Sequence, residues 1–153
     1  FLLDYTNHRL QLWTVPQAAP VPEGLRLRAE INDWRILVPV TSDAAPRGRW
    51  KLALDSGIAQ VLVFQDRIRP GAGRCDSGAC MMQVSTNLSA YSASTVVLPE
   101  IAISETRLHD LPVVILRNDL LKQTDPQDGL LPASLFRSVF FDRATATLVL
   151  GTN

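Results

Sequence analysis

Short apolar runs, interrupted by Pro, Gly, Asn and Asp, fill most of this 153-residue chain. Runs of that length bounded by turn residues predict strands rather than helices. Residues 25–31 alternate Leu25, Leu27, Ala29 and Ile31 with Arg26, Arg28 and Glu30, the period of a half-buried strand. Asn32-Asp33 then offers a two-residue turn, and residues 34–40 return as the partner strand of a hairpin. A loop over residues 41–48, rich in Asp, Ala and Pro, leads into Trp50-Lys51-Leu52-Ala53-Leu54, and a second apolar run covers residues 59–64. Further on, residues 81–85 and 95–103 read as strands on either side of the polar stretch 86–94. Residues 111–116 form an apolar run suited to an interior strand, and residues 117–127 are polar and expected to be exposed. Pro132 suits the first turn of a helix, where its missing N–H costs nothing, so residues 133–137 are expected to form the only substantial helix. The predicted class is all-β.

The two ends of the chain share one pattern. Setting Asp4 on Asp142 aligns Phe1-Leu2-Leu3-Asp4 with Val139-Phe140-Phe141-Asp142, and Leu10-Gln11-Leu12 with Leu148-Val149-Leu150. Each segment reads as apolar strand, Asp, polar turn, apolar strand. Hairpins share such patterning in general. Read as a true repeat, residues 1–13 are a hairpin that forms the tail of a preceding lobe, residues 14–24, with three prolines, are a linker, and residues 25–153 are a second lobe.

Composition narrows the function classes. A chain of this length is one domain by prior and buries about 70% of its unfolded surface, so it needs no metal to build a core. The formal net charge is zero and 20% of residues are charged, which leaves no broad field for nucleic acid or an anionic membrane. Arg67, Arg69 and Arg74, around Pro70-Gly71-Ala72-Gly73, read as a solvated loop. A phosphate cradle would need a lysine and a following helix there. No apolar stretch reaches the roughly 18 residues of a membrane helix. Two cysteines and the scattered His8 and His109 form no zinc cluster, and no cofactor motif is present. The chain starts at Phe1 without a methionine, as expected of a processed or excised piece. Cys75 and Cys80 enclose four residues including Gly78, a spacing open to a small disulfide loop or to two free thiols.

The chemistry centres on Asp55-Ser56-Gly57, a turn between two apolar strands. A carboxylate in such a bend is poorly placed for ordinary solvation. The second copy of the tripeptide, Asp76-Ser77-Gly78, has no apolar strand before it and reads as a plain turn. Near the C-terminus run Asp128-Gly129-Leu130-Leu131-Pro132-Ala133-Ser134-Leu135-Phe136, then Val139-Phe140-Phe141-Asp142, then Thr147-Leu148-Val149-Leu150. In this order the segments resemble the active-site loop and the second signature of the pepsin and retropepsin aspartic proteases.

The resemblance implies a closed, barrel-like β lobe with one short C-terminal helix, and a hydrolase acting on peptide or protein substrates without a cofactor. It implies Asp55 as the catalytic carboxylate and Ser56 and Gly57 as support for its loop, the one by hydrogen bonding and the other by close backbone approach or positive φ. Leu130 and Leu131 would pack behind the loop, and Asp128 would be a turn or helix-entry residue. The second carboxylate must come from a second similar lobe, upstream in the same polypeptide or in a dimer partner. A short cysteine loop after the catalytic strand also occurs in pepsin-like enzymes. If Cys75 and Cys80 are oxidised, a periplasmic, extracellular or externally membrane-anchored location is favoured.

Three positions depart from the family pattern. Ile58 stands where a small residue is usual, Pro132 where a glycine is expected, and the stretch 81–94, which would cover the substrate and contains Tyr91, lacks glycines. They motivate a competing reading, a catalytically inactive peptide-binding or scaffold module of the same fold. A serine hydrolase would need a histidine base and a G-x-S-x-G elbow, and neither His8 nor His109 lies near one.

Overall fold

The computed structural model describes residues 1–14, 21–75, 80–85, 90–117 and 127–152. Its described elements are nearly all strands. They are β1 (Leu2–Asp4), β2 (Arg9–Gln11), β3 (Leu25–Arg28), β4 (Glu30–Asn32), β5 (Arg35–Thr41), β6 (Arg49–Asp55) and β7 (Val61–Phe64) in the first half. The second half holds β8 (Met81–Ser85), β9 (Ala90–Ile103), β10 (Thr106–Leu116), β11 (Gly129–Pro132), β12 (Ser138–Asp142) and β13 (Thr147–Gly151). Single 3₁₀ turns occur at Gln65–Arg67 and Ala133–Leu135. The helix expected over residues 133–137 is therefore one turn, closed by the Phe136 N–H on the Ala133 carbonyl at 3.2 Å. Between Pro132 and the start of β12 there is too little chain to repay helix nucleation.

Two sheets carry the fold: a five-stranded one in the order β2-β1-β12-β13-β3, and an eight-stranded one in the order β4-β5-β6-β11-β7-β10-β9-β8. Val139, Phe141, Leu148 and Leu150 of the first share one buried cluster with Val38, Trp50, Leu52, Val63, Val113 and Leu131 of the second. The period-2 alternation predicted from sequence produces this directly, since every second residue of a strand points into the same layer.

The larger sheet curls until β5 touches β9, but only through the pair Thr41↔Ala102. Higher up, the free edge of β5 is taken by β4, and that of β9 by β8. The larger sheet thus returns on itself through one register pair, with β4 and β8 on the strand edges beyond it.

Residues 25–31 split at Ala29, with β3 joining β13 in the small sheet and β4 joining β5 in the large one. The alternation runs through the break, so the pattern conceals the change of sheet. Only β4 forms the expected hairpin with β5, and its turn is Asp33-Trp34, with φ of 44° and 69°. β10 lies between β7 and β9, the interior position expected for residues 111–116. Gln127 is buried at 3% exposure, against the expectation for the polar stretch. The rest of that stretch, residues 118–126, lies outside the described residues, as do residues 15–20 of the proline-rich segment and the copy of Asp-Ser-Gly at 76–78.

The end-to-end likeness extends to register. β1 pairs with β2 through Leu2↔Gln11, Leu3↔Leu10 and Asp4↔Arg9. β12 pairs with β13 through the equivalent residues, Phe140↔Val149, Phe141↔Leu148 and Asp142↔Thr147. The turns match as well. Asp4 accepts from the Asn7 backbone and side-chain nitrogens, and Asp142 from the Ala144 N–H and the Thr145 hydroxyl. These bonds, led in each case by the side-chain donor, lower both carboxyl pKa values. His8 and Ala146, at the same place in each turn, have φ of 51° and 52°. The hairpins meet through β1 and β12, where Leu2 faces its own counterpart Phe140, so a local two-fold axis passes through that pair.

Equivalent leucines have unlike surroundings. Leu148 is 0% exposed and Leu10 is 61% exposed. Leu148→Ala is expected to cost about 2–5 kcal/mol, whereas Leu10→Ala in the same chain should stay within about 0.5 kcal/mol. Urea denaturation of the two variants checks this, and equal costs would mean that Leu10 is buried in solution.

Candidate active site

In β6, Trp50 and Leu52 enter the core between the sheets and Leu54 packs against it. The intervening residues Lys51, Ala53 and Asp55 therefore face the other way. β6 is an interior strand, with β5 on one side and β11 on the other. Register places Leu37, Ala53, Leu130, Leu62 and Val114 side by side across β5, β6, β11, β7 and β10. Asp55 stands at the end of its strand on this same face, two residues beyond that apolar row.

β6 and β7 follow one another in sequence but are not neighbours in space. β11 lies between them, parallel to β6 and antiparallel to β7. Residues 56–60 must therefore cross the end of β11, a span of about 10 Å set by two inter-strand spacings. Pro132, the last residue of β11, is the register partner of Asp55. The crossing starts with a tight turn in which the Gly57 N–H donates to Asp55 Oδ1 at 2.7 Å. A Cβ on Gly57 would lie 3.3 Å from that oxygen, a tight contact with the Asp55 side chain and not with backbone. Its φ is not in the left-handed region. Ser56 and Gly57 are exposed, and Asp55 and Ile58 are half-buried.

β11 is held in its slot by Asp128 and Gly129. The Lys51 N–H donates to Asp128 Oδ2 at 2.7 Å, the Asp128 N–H to the Lys51 carbonyl at 2.7 Å, and the Phe64 N–H to the Asp128 carbonyl at 3.0 Å. Arg67 Nε lies 3.6 Å from Asp128 Oδ1. Asp128 thus joins the strands on both sides, and no helix begins there. A Cβ on Gly129 would lie 2.0 Å from the Leu62 carbonyl oxygen, so only glycine lets the three backbones lie this close. The Leu130-Leu131 pair divides. Leu131, 0% exposed, enters the core, whereas Leu130 lies in the apolar row on the Asp55 face.

One residue near the site carried no signal in the sequence. Tyr5, just after β1, donates its N–H to the Arg137 carbonyl at 2.9 Å. Its hydroxyl is buried and has no hydrogen-bond partner among the described residues. Burial, and after it the negative charge of Asp55, raises the Tyr5 pKa. The first hairpin and the Asp55 loop are thereby electrostatically linked.

Cys75 and Cys80 form a disulfide with Cα atoms 5.8 Å apart, a normal span. It holds the chain beside β9, where Arg74 exchanges backbone hydrogen bonds with Val97, and the Thr95 N–H donates to the Cys80 carbonyl. A bridge of this kind is favoured in oxidising compartments. Among the described residues no helix is long and apolar enough to cross a membrane. The arginine loop is exposed, as expected, and its arginines form surface ion pairs. Arg67 pairs with Asp66 and Asp128, and Arg74 with Asp110 at 3.0 Å. β8 and β9 form a hairpin over the stretch expected to cover substrate, and its tip, residues 86–89, lies outside the described residues.

No protein-family model matches the chain, and no curated protein matches its sequence. Among solved structures it is similar to a retropepsin-like aspartic protease from Rickettsia conorii. The two are 13% identical over 85% of this chain and 92% of that one, with a TM-score of 0.48.

The Tyr5–Asp55 link has a titration signature. A phenol whose folded pKa is raised contributes stability that is complete below its unfolded value of about 10 and is lost as pH rises through the folded value. Asp55→Asn removes the second cause and leaves the first, so the Tyr5 pKa should fall part of the way toward 10.0. Ultraviolet phenolate titration in a Tyr91→Phe background reads it. An unchanged titration would show that Asp55 does not act on Tyr5.

Proposed function

We propose that this lobe supplies half of an aspartic peptidase active site, with Asp55 as its carboxylate and the other carboxylate provided by a second lobe of similar design. The reading rests first on Asp55 itself. A strand inserted between β6 and β7 forces the Asp55-Ser56-Gly57 turn over its end, and the Gly57 N–H fixes one carboxylate oxygen at 2.7 Å. An acid held by backbone at the tip of a sheet, with exposed neighbours, is positioned to meet a partner and a substrate. The matched hairpins add support, because a local two-fold axis is what would bring two such turns face to face.

Two carboxylates brought close cannot both ionise, so they hold one proton between them. The ionised member takes a proton from a water as its oxygen attacks the scissile carbonyl carbon. The protonated member donates to the carbonyl oxygen as charge develops there. Collapse of the tetrahedral adduct breaks the C–N bond, and the amine leaves with a proton from the pair. No covalent enzyme intermediate forms. Ser56, exposed beside Asp55, would bond across the junction to the second lobe, and the β8–β9 hairpin would cover the bound peptide.

Pro132 and Ile58 fit this arrangement without entering the chemistry. Pro132 is buried and ends β11, so its missing N–H falls where the strand pairing stops. Ile58 is half-buried and lies beyond the Gly57 bond.

The test is peptidase activity of the full-length protein, from acidic to neutral pH, with and without Asp55→Asn. Loss of about 10²–10⁴-fold in kcat/KM is expected, the usual contribution of an acid–base group. Equal cleavage by the two proteins would remove Asp55 from the mechanism.

A further inference from the structure

The connection from β7 to β8 forms one wall of a cleft that the Asp55 chemistry does not use. Pro70-Gly71 makes a tight turn of type II form, in which Gly71 has φ of 75° and the Ala72 N–H donates to the Arg69 carbonyl at 3.1 Å. Gly73, with φ of 84°, then brings the chain against β9, where a Cβ would lie 2.9 Å from the Val96 side chain. Arg74 exchanges backbone hydrogen bonds with Val97, and the Cys75–Cys80 bridge ties the segment to the start of β8. The wall is thus fixed before any ligand arrives, which lowers the cost of binding one.

The facing wall is the base of the β8–β9 hairpin together with the end of β10. The space between the walls is about 560 Å³, within the range of small-molecule sites, and its apolar lining includes Ile68, Ala72, Met81, Val96 and Ile115. Met81 is 66% exposed, and the Ser94 hydroxyl donates to its Sδ at 3.5 Å. Val96 and Ile115 pack against the core, whereas Val114 belongs to the apolar row on the Asp55 face. Alternation therefore puts this cleft on the side of the sheet away from Asp55.

Charge gives the cleft its selectivity. Arg69 and Arg117 line it and no Asp or Glu does, in a chain whose formal net charge is zero. Arg69 Nη2 donates to the Pro46 carbonyl at 3.4 Å, a long bond that uses one of the several donors a guanidinium carries. A second cleft, of about 390 Å³, lies across the same loop, where Asp43 and Glu100 join Arg69, so that space does not favour an anion.

We propose that the larger cleft binds a small carboxylate with an apolar chain, the chain lying against Ile68, Val96 and Ile115 beside the Met81 thioether, and the carboxylate accepting hydrogen bonds from Arg69 and Arg117. A methionine suits a wall that must adapt to a flexible chain. A fatty acid and the C-terminal end of an apolar peptide share this chemistry. The site goes beyond the peptidase reading and does not depend on it.

Calorimetric titration of the full-length protein with octanoate tests this. A Kd below about 1 mM is expected, and octanol, which has the same chain and no charge, should bind about tenfold more weakly. Arg69→Gln with Arg117→Gln, both at exposed positions, should weaken octanoate by about tenfold or more and leave octanol unchanged. Hydrogen exchange with octanoate present should slow at residues 68–75 and 93–96 and stay the same at residues 53–57. N-acetyl-leucyl-leucine presents the same chemistry from a peptide terminus, and the tighter of the two probes identifies the source. No binding of either probe at about 10 mM, equal affinity for octanol and octanoate, unchanged octanoate affinity in the double variant, or protection at residues 53–57 in place of 68–75 overturns the proposal. None of these outcomes bears on cleavage by Asp55, and loss of Asp55-dependent cleavage would leave this site standing.

Discussion

The strand inserted between β6 and β7 is the constraint on which the rest of the site depends. Consecutive strands joined by a five-residue connection would ordinarily pair with each other, and here β11 separates them. The separation is maintained by groups that no other residue types could replace together. Gly129 allows a backbone approach that a Cβ would block at 2.0 Å, and Asp128 satisfies backbone groups on both flanking strands. Because the slot is filled, the connection cannot lie flat. It rises over the end of β11, and Asp55 and the exposed Ser56-Gly57 pair are carried to the rim of the sheet. The chemistry proposed for Asp55 is thus a consequence of strand order.

Part of this is legible in the amino-acid pattern alone. The period-2 alternation of residues 50–54 and the apolar block ending in Phe64 place a turn at Asp55, and the fold has it there. The segment around Val149 reads as a strand for the same reason. Neighbour relations are not legible, because side-chain alternation records which face a residue takes and is silent about which strand lies beside it. Nothing in Gly129-Leu130-Leu131 distinguishes a helix entry from a strand wedged between two others. The continuous alternation of residues 25–31 likewise hides the bend at Ala29, since each half keeps its apolar residues inward in a different sheet. The ion pairs of Arg67 and Arg74 are not legible either, because their carboxylate partners, Asp128 and Asp110, lie far along the chain.

The terminal hairpins show the opposite case, in which a sequence likeness proves to be structural in detail. Patterning alone cannot separate two related hairpins from two unrelated ones. Register, the carboxylate that accepts in the turn and the left-handed residue at His8 and Ala146 go together in both hairpins, because one turn type and loop length sets all three. That all three coincide, and that Leu2 pairs with its own equivalent, makes the arrangement symmetric about a point inside the sheet.

Symmetry of this kind bears on the chemistry through rigidity. Two carboxylates share a proton only while their separation is held to within about half an ångström, and loops alone do not hold such a distance. The Asp55 loop starts from an interior strand, and Tyr5 places the first hairpin within the electrostatic reach of Asp55. A sheet running without interruption from one lobe into the next would tie the two acids to a common frame of backbone hydrogen bonds. The small sheet has one edge closed by β3, and among the described residues its other edge carries the exposed Leu10 and, just beyond it, Leu12.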